Sequence, residues 1–269
     1  MGLNIVVCVK NVPSTLSVEL DQATGQAKTA GLVFAMNPFD EYAVEEAVRI
    51  KERVPGSTVT ALTLGPDADQ AVLREALSRG CDAAVLVSGP EFPGGDSYTT
   101  SRALAAAIRK LAAEKPVHLA LFGKNTNDGN SGAVGGQVAA WLDWPGVLSV
   151  KKVASIDESA AVLWRMMEDG IDVVKVRLPA AVGTVKEINE PRLPSLKGKM
   201  AAKKAAIPKW TAADLGLGPE EVGAAGAPTR IARSSPPPPR PAGMSIVGAS
   251  AAQIAQKLVD TLIERKLIS

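Results

Sequence analysis

The sequence predicts an α/β protein built on a doubly wound, mostly parallel β-sheet, with an antiparallel extension and an extended C-terminal arm. Three observations carry that prediction. Short apolar runs with no helical period alternate with amphipathic stretches up to Trp144-Pro145, the texture of a parallel sheet covered on both faces. Beyond that point three strand-like runs follow one another, two of them joined by Glu168-Asp169-Gly170, a hairpin-type turn. From Asn189 onward the core pattern stops and proline, lysine and alanine dominate.

Taken in order, Leu3 to Lys10 reads as a buried first strand, closed by Lys10-Asn11-Val12-Pro13-Ser14. Asn37-Pro38-Phe39-Asp40 opens a helix, with Asn37 a good N-cap and Pro38 suited to the first turn. Asn37 is equally suited to ligand contact. Phe39, Ala43, Val44, Ala47 and Val48 form the inward stripe, leaving Glu45, Glu46, Arg49 and Lys51 expected to face water. Ser57 to Leu64 is the second strand, 69–79 a helix, 83–88 the third strand, and 97–113 an alanine-rich helix. Val117 to Phe122 is the next strand, with His118 near its start and read as structural or surface.

The following turn carries the strongest functional signal. After Phe122 the chain reads Gly123, Lys124, Asn125, Thr126, Asn127, Asp128, Gly129, Asn130, Ser131, Gly132, Ala133, and then Val134, Val138, Trp141 and Leu142 recur at helical spacing. Gly132, Gly135 and Gly136 crowd that helix start, where each glycine costs about 1 kcal/mol against alanine. Glycine there admits another group to bare backbone, and a helix start offers unpaired N–H donors and partial positive charge. The pattern therefore points to an anion, most naturally a nucleotide phosphate. Glycine-rich turns also serve plain helix-on-sheet packing. The stretch is neither a GxxxxGK[ST] loop nor a GxGxxG fingerprint. Right-handed crossovers bring the carboxyl ends of strands 1, 2 and 4 to one edge, so Lys10, Asn37, Leu64-Gly65 and the 123–134 loop are expected to converge.

Composition narrows the classes. Thirty basic against 28 acidic residues leave no nucleic-acid footprint, and 4% aromatics argue against base-stacking platforms. Two cysteines, Cys8 and Cys81, and one histidine make a disulfide framework or metal catalysis an unexpected reading. The amino terminus runs straight into a strand and no apolar span reaches about 18 residues, so neither a signal peptide nor membrane insertion is expected, and the expected location is the cytoplasm.

After the extension, 179–185 reads as a further core strand. Leu193 and Leu196 are apolar residues in a polar, exposed-looking segment, which suggests partner contact. Lys197, Lys199, Lys203, Lys204 and Lys209 read as a solvated face. Ser234 to Pro241 is a polyproline linker. Ser250 with Gln253 forms a capping box, opening a helix whose stripe (Ala251, Ile254, Ala255, Leu258, Val259, Leu262, Ile263) must lie on something. A second subunit is preferred over its own domain.

Four stretches together resemble the β subunit of the electron transfer flavoproteins, nearly end to end. They are Val7-Cys8-Val9-Lys10 with Val12; Met36 to Glu41 with Ala43 to Arg49; Gly123 to Gln137 ending in Leu142-Asp143-Trp144-Pro145; and Leu178-Pro179-Ala180 through Asn189-Glu190-Pro191-Arg192. The resemblance implies a Rossmann-like fold of the adenine-nucleotide-binding type over residues 1–190 (147–178 being the antiparallel extension). A recognition loop and basic segment over 191–209 and an arm over 210–269 would follow. It implies a non-catalytic electron-carrier subunit paired with an α subunit that holds most of the FAD. Electrons would come from acyl-CoA or related dehydrogenases and pass to a quinone oxidoreductase, in the mitochondrial matrix were the source eukaryotic. AMP would bind at Cys8, Asn37, Pro38, Phe39, Asp40, Leu64 and the Gly123 to Val134 loop, with Lys10 nearby, and Leu196 would anchor dehydrogenases.

Two departures qualify the resemblance. Asp128-Gly129-Asn130 is closer to electron-bifurcating members, which bind a second FAD where others bind AMP. Met166 stands where mitochondrial-type members carry an acidic residue after the arginine matching Arg165. A nucleotide-hydrolysing or adenylating enzyme would need a glycine-rich loop after the first strand, and residues 10–14 contain no glycine. A stand-alone nucleotide sensor would leave the leucine-bearing loop and the C-terminal helix without purpose.

Overall fold

The computed structural model describes residues 2–15, 18–21, 27–232, 234–235, 238 and 242–268. The chain divides into two compact units, Met1–Ala232 and Arg233–Ser269.

The first unit follows the predicted alternation. Strand β1 (Asn4–Cys8) leads to a short pair, β2 (Asn11–Pro13) and β3 (Phe34–Met36), then helix α1 (Pro38–Arg53). Strand β4 (Thr58–Leu64), helix α2 (Gln70–Arg79), β5 (Ala83–Val87), α3 (Ser97–Glu114), β6 (Leu119–Gly123) and α4 (Val134–Leu142) complete the wound part. The extension is β7 (Gly146–Ile156), β8 (Ala160–Met166) and β9 (Ile171–Arg177), after which β10 (Ala180–Thr184) returns to the core. Helix α5 (Leu196–Lys204), β11 (Lys209–Trp210) and a single turn, α6 (Gly223–Gly226), finish the unit.

These strands form one nine-stranded sheet in the order β11-β5-β4-β1-β6-β10-β7-β8-β9. From β11 to β7 every pairing is parallel, and β7-β8-β9 is antiparallel. The sheet is covered on both faces. Leu3, Ile5 and Val7 pack with α1 and α2 on one side, whereas Val6, Cys8 and Leu62 pack with α3 and α4 on the other. Their alternation along β1 is the period-2 geometry of a strand buried twice over. His118 is structural: its Nδ1 accepts from Asn4 N at 3.0 Å, and its N–H donates to Asn4 O at 2.8 Å.

Three departures from the sequence reading are informative. The β2–β3 hairpin is antiparallel and stands apart from the main sheet, where the chain had suggested only a strand end. Strand β11 pairs with β5 and puts Lys209 on the sheet edge, an unexpected strand, while Lys197, Lys199, Lys203, Lys204 and Lys209 are exposed as expected. Glu45 and Glu46, expected in water, are only 6% and 4% exposed. Segment 189–192 folds over that flank of α1 and supplies Arg192 and Asn189 as partners.

Trp210 and the residues after it, expected to start an extended arm, also lie on the core up to Thr229. Lys110 Nζ sits 4.8 Å from the Trp210 ring centroid, Ala212 and Val222 are buried, and Thr229 Oγ1 donates to Asp96 at 2.6 Å. In the second unit the polyproline stretch falls mostly outside the described residues, and helix α7 (Ala251–Glu264) forms as its capping signal predicts. Ser250 Oγ accepts from Gln253 N at 3.3 Å, while the return bond goes to Ala249 N at 3.0 Å, one residue earlier than expected. No residue of α7 is buried, and Ile254, Leu258, Val259 and Ile263 are exposed. Among the described residues no helix is long and apolar enough to cross a membrane.

Candidate functional site

Because β4, β1 and β6 are adjacent and parallel, their carboxyl ends share one edge. Leu64 closes β4, Cys8 closes β1 and Gly123 closes β6. Pro38, Phe39 and Asp40 form the first turn of α1 over the same edge, and the 124–133 loop arches from β6 to α4. The predicted convergence is therefore present.

Asn37 knits this edge together. It occupies the N-cap position of α1 yet makes no side-chain cap bond. Its Nδ2 instead donates to Asn125 O at 2.8 Å, and its Oδ1 accepts from Asn127 N at 3.1 Å. The cap reading of Asn37 fails because the loop offers a competing donor and acceptor at the spacing of one amide side chain. Lys10 is held from both ends: its N–H donates to Asp40 Oδ2 at 2.8 Å, and its O accepts from Asn37 N at 2.9 Å. Its Nζ pairs with Asp128 Oδ2 at 2.5 Å, tying the loop's crest back to β1.

Asp40 is buried, and burial pushes its carboxyl up to about 7 despite bonds from Asn37, Lys10 N and Gly123 N. Burial also raises the Cys8 thiol, with the Asp40 charge adding to it, and pushes the Cys81 thiol up to about 12, so both cysteines are inert. Asp128 behaves differently. Burial opposes its ionisation, but bonds from Lys10 and Thr126 outweigh this and hold it below the ordinary range. Of the two lysines at this edge, Lys10 already has a carboxylate partner and Lys124 is exposed, so backbone donors matter most for an anion here.

The loop supplies that backbone. Asn130 and Gly132 adopt left-handed φ of 49° and 61°, turning the chain twice before α4. Asn125 Nδ2 bonds Asn130 Oδ1 across the turn, and Asn130 N donates to Thr126 O at 2.9 Å. No side chain caps α4, so its first-turn amides keep the donors that a helix start leaves unpaired. Beside them, Asn125 Oδ1 and Gln137 Oε1 are buried with no partner among the described residues. Buried acceptors without partners are uncommon in folded proteins, and their presence fits a polar ligand with donors of its own, such as an adenine or ribose.

The three glycines divide. Gly132 serves the turn, since its φ disfavours any side chain and a Cβ would lie 3.3 Å from Lys124 O. A Cβ on Gly135 would press the Phe122 ring at 3.2 Å, and one on Gly136 would meet Leu148 at 3.4 Å. Those two serve helix-on-sheet packing, the plainer of the two sequence readings. Gly123 is likewise closed in by Asp40 and Phe39.

Leu193 and Leu196 lie elsewhere, 88% and 77% exposed, with Met200 beside them on α5. On the β8–β9 hairpin, Met166 is exposed and Arg165 Nε is buried without a partner among the described residues.

Comparison with known proteins completes the picture. The electron transfer flavoprotein domain family matches residues 24–215. The caffeyl-CoA reductase-Etf complex subunit CarD of Acetobacterium woodii is 39% identical, over 99% of this chain and all of that protein. The electron transfer flavoprotein subunit beta of Thermoanaerobacterium thermosaccharolyticum is 37% identical, over 99% of this chain and all of that protein. FixA of Azotobacter vinelandii is 33% identical, over 88% of this chain and 85% of that protein.

Proposed function

Since the chain belongs to the electron transfer flavoprotein family as a β-subunit relative, we propose that it is the nucleotide-holding and docking subunit of a two-subunit electron carrier. Flavin supplies the two-electron chemistry when bound, and in this reading most of the FAD sits on an α subunit. This chain contributes binding and orientation.

One AMP occupies the edge described above. Its phosphate would be held by the first-turn amides of α4, and its adenosine part would answer Asn125 and Gln137. Cys8, Asn37 to Asp40 and Leu64 form the floor and wall, while Lys10 and Asp128 hold the crest of the loop in place. The observation that carries this reading is the uncapped start of α4 set beside two buried, unpartnered side-chain acceptors. The β8–β9 hairpin at exposed Met166 and the exposed stripe of α7 are the surfaces offered to the α subunit. Leu193 and Leu196 meet electron-donating dehydrogenases, such as those acting on acyl-CoA esters, and a quinone oxidoreductase is the acceptor.

A second reading has its own support. Gly129 follows Asp128, and a full-length relative is named as part of a caffeyl-CoA reductase-Etf complex; in that reading a second FAD takes the place of AMP. The test is to denature the purified heterodimer, count flavin by absorbance and weigh the released small molecules. One flavin and one AMP per heterodimer supports the first reading, two flavins support the second, and an absence of any adenine compound overturns both.

A further inference from the structure

We propose that Arg192 is a positioning residue that mounts the exposed leucines as a rigid, preformed docking surface; this rests on the docking reading given above. Its guanidinium makes two forked ion pairs at once. Toward Glu45 the distances are 2.8 Å (Nε to Oε2) and 3.0 Å (Nη2 to Oε1). Toward Glu52 they are 2.6 Å (Nη1 to Oε1) and 3.0 Å (Nη2 to Oε2). Arg192 N also donates to Glu45 Oε2 at 3.0 Å. A planar fork can satisfy two carboxylates in this way and an ammonium cannot.

The neighbours extend the clamp. Asn189 Nδ2 donates to Tyr42 O at 3.1 Å and to Glu46 Oε2 at 3.2 Å, and Glu46 is paired to Arg53 at 2.9 Å. Buried Arg79, itself paired with Glu41 and Glu75, donates to Arg192 O at 3.3 Å. On the far side of the leucines, Arg74 Nη1 donates to Ala202 O at 2.6 Å at the end of α5. Gly198 lets α5 lie directly on α2, since a Cβ there would fall 2.3 Å from Ser78 O.

Segment 189–205 is therefore pinned to α1 at one end and to α2 at the other. Its polar bonds run inward, and Leu193, Leu196 and Met200 stand in solvent. That arrangement is costly for a mere linker, which would be polar and loose. It suits a surface whose ordering entropy is spent before the partner arrives, which raises affinity without adding a contact.

The test uses the α/β heterodimer with a butyryl-CoA dehydrogenase reduced by butyryl-CoA, and reads two quantities. One is amide hydrogen exchange over 193–204, and the other is the KM and kcat for flavin reduction at varied dehydrogenase. In Arg192→Gln the exchange should quicken and KM should rise, each by about tenfold, with kcat and bound-nucleotide content unchanged. Arg192→Lys should fall between wild type and Gln. Should Arg192→Gln fold poorly, Glu52→Gln removes only the exposed half of the clamp and should shift both readouts in the same direction by a smaller factor. Leu196→Ala separates the two ideas: KM should rise while exchange stays at the wild-type rate. Unchanged exchange in Arg192→Gln and Glu52→Gln overturns the clamp whatever the dehydrogenase does. Quickened exchange with unchanged KM, while Leu196→Ala raises KM, shows a clamp without a docking role and also overturns the proposal. An unchanged KM in Leu196→Ala counts against the docking reading itself.

Discussion

The nucleotide edge and the leucine-bearing segment are built on opposite principles. At the sheet edge the side chains are satisfied: Lys10 with Asp128, Asp40 with Lys10 N, Asn37 with the loop. What remains unspent is main-chain N–H at the α4 start and two side-chain acceptors beneath it. In segment 189–205 the polar groups turn inward to α1 and α2, and what remains unspent is apolar surface. Each region lacks what its ligand would bring, a phosphate's acceptor oxygens for free N–H groups in one case and a protein's apolar surface in the other. Both hang from α1, the first turn of which joins the edge and the outer flank of which carries Glu45, Glu46 and Glu52.

The comparison breaks most sharply at Gly132. Valine there would be forced into a left-handed φ that costs about 1–2 kcal/mol for an L-residue, with its Cβ against Lys124 O. Gly132→Val should lower bound nucleotide by about tenfold or more, read by extraction and weighing, and leave exchange over 193–204 untouched. Loss of protection in both places would mean that the two regions are one structural unit.

Asp40 gives a smaller, pH-dependent effect. Its carboxyl titrates at about 7 in the fold and near 4 when unfolded. Between those values the fold keeps a proton that the unfolded chain has lost, so stability falls as pH rises. The contribution is fully present below about 4 and is lost as pH climbs through 7. Asp40→Asn removes the titration and should flatten that decline in a thermal-melt series from pH 5 to 8, by at most about 1.4 kcal/mol per pH unit. A decline of unchanged slope would place the titrating group elsewhere.

Gly135→Ala should have the least effect on function. Its Cβ presses the Phe122 ring, an overpacking worth about 1–3 kcal/mol. The melting temperature should fall by about 2–4 °C per kcal/mol, with nucleotide retained. Nucleotide loss without a change in melting would return Gly135 to the ligand side of the comparison.

Much of this was legible beforehand. Strands such as Asn4–Cys8 and Leu119–Gly123 are short, apolar on both faces and without helical period, which separates them from the amphipathic helices between them. Asn37-Pro38 marked a helix start correctly, and Leu196 stood out because a polar segment gives leucine no reason to be there. What escaped depended on partners distant in sequence. Glu45 and Glu46 read as solvent-facing because Arg192 and Asn189 lie 147 and 143 residues away. Asn37 read equally as a cap or a ligand contact, and its actual role as a bridge to the loop was hidden because that loop comes 88 residues later. Three residues in β2 and two in β11 are too few to show any periodicity. The purpose of Gly135 could not be assigned without knowing that Phe122 lies under it.

The most direct test of the nucleotide edge is amide hydrogen exchange on the heterodimer reconstituted without and then with AMP. Slowed exchange confined to the 125–137 turn and helix start, with the 36–40 stretch following, is the result this structure predicts. Protection confined to other parts of the chain, or none at all while AMP is bound, would contradict it.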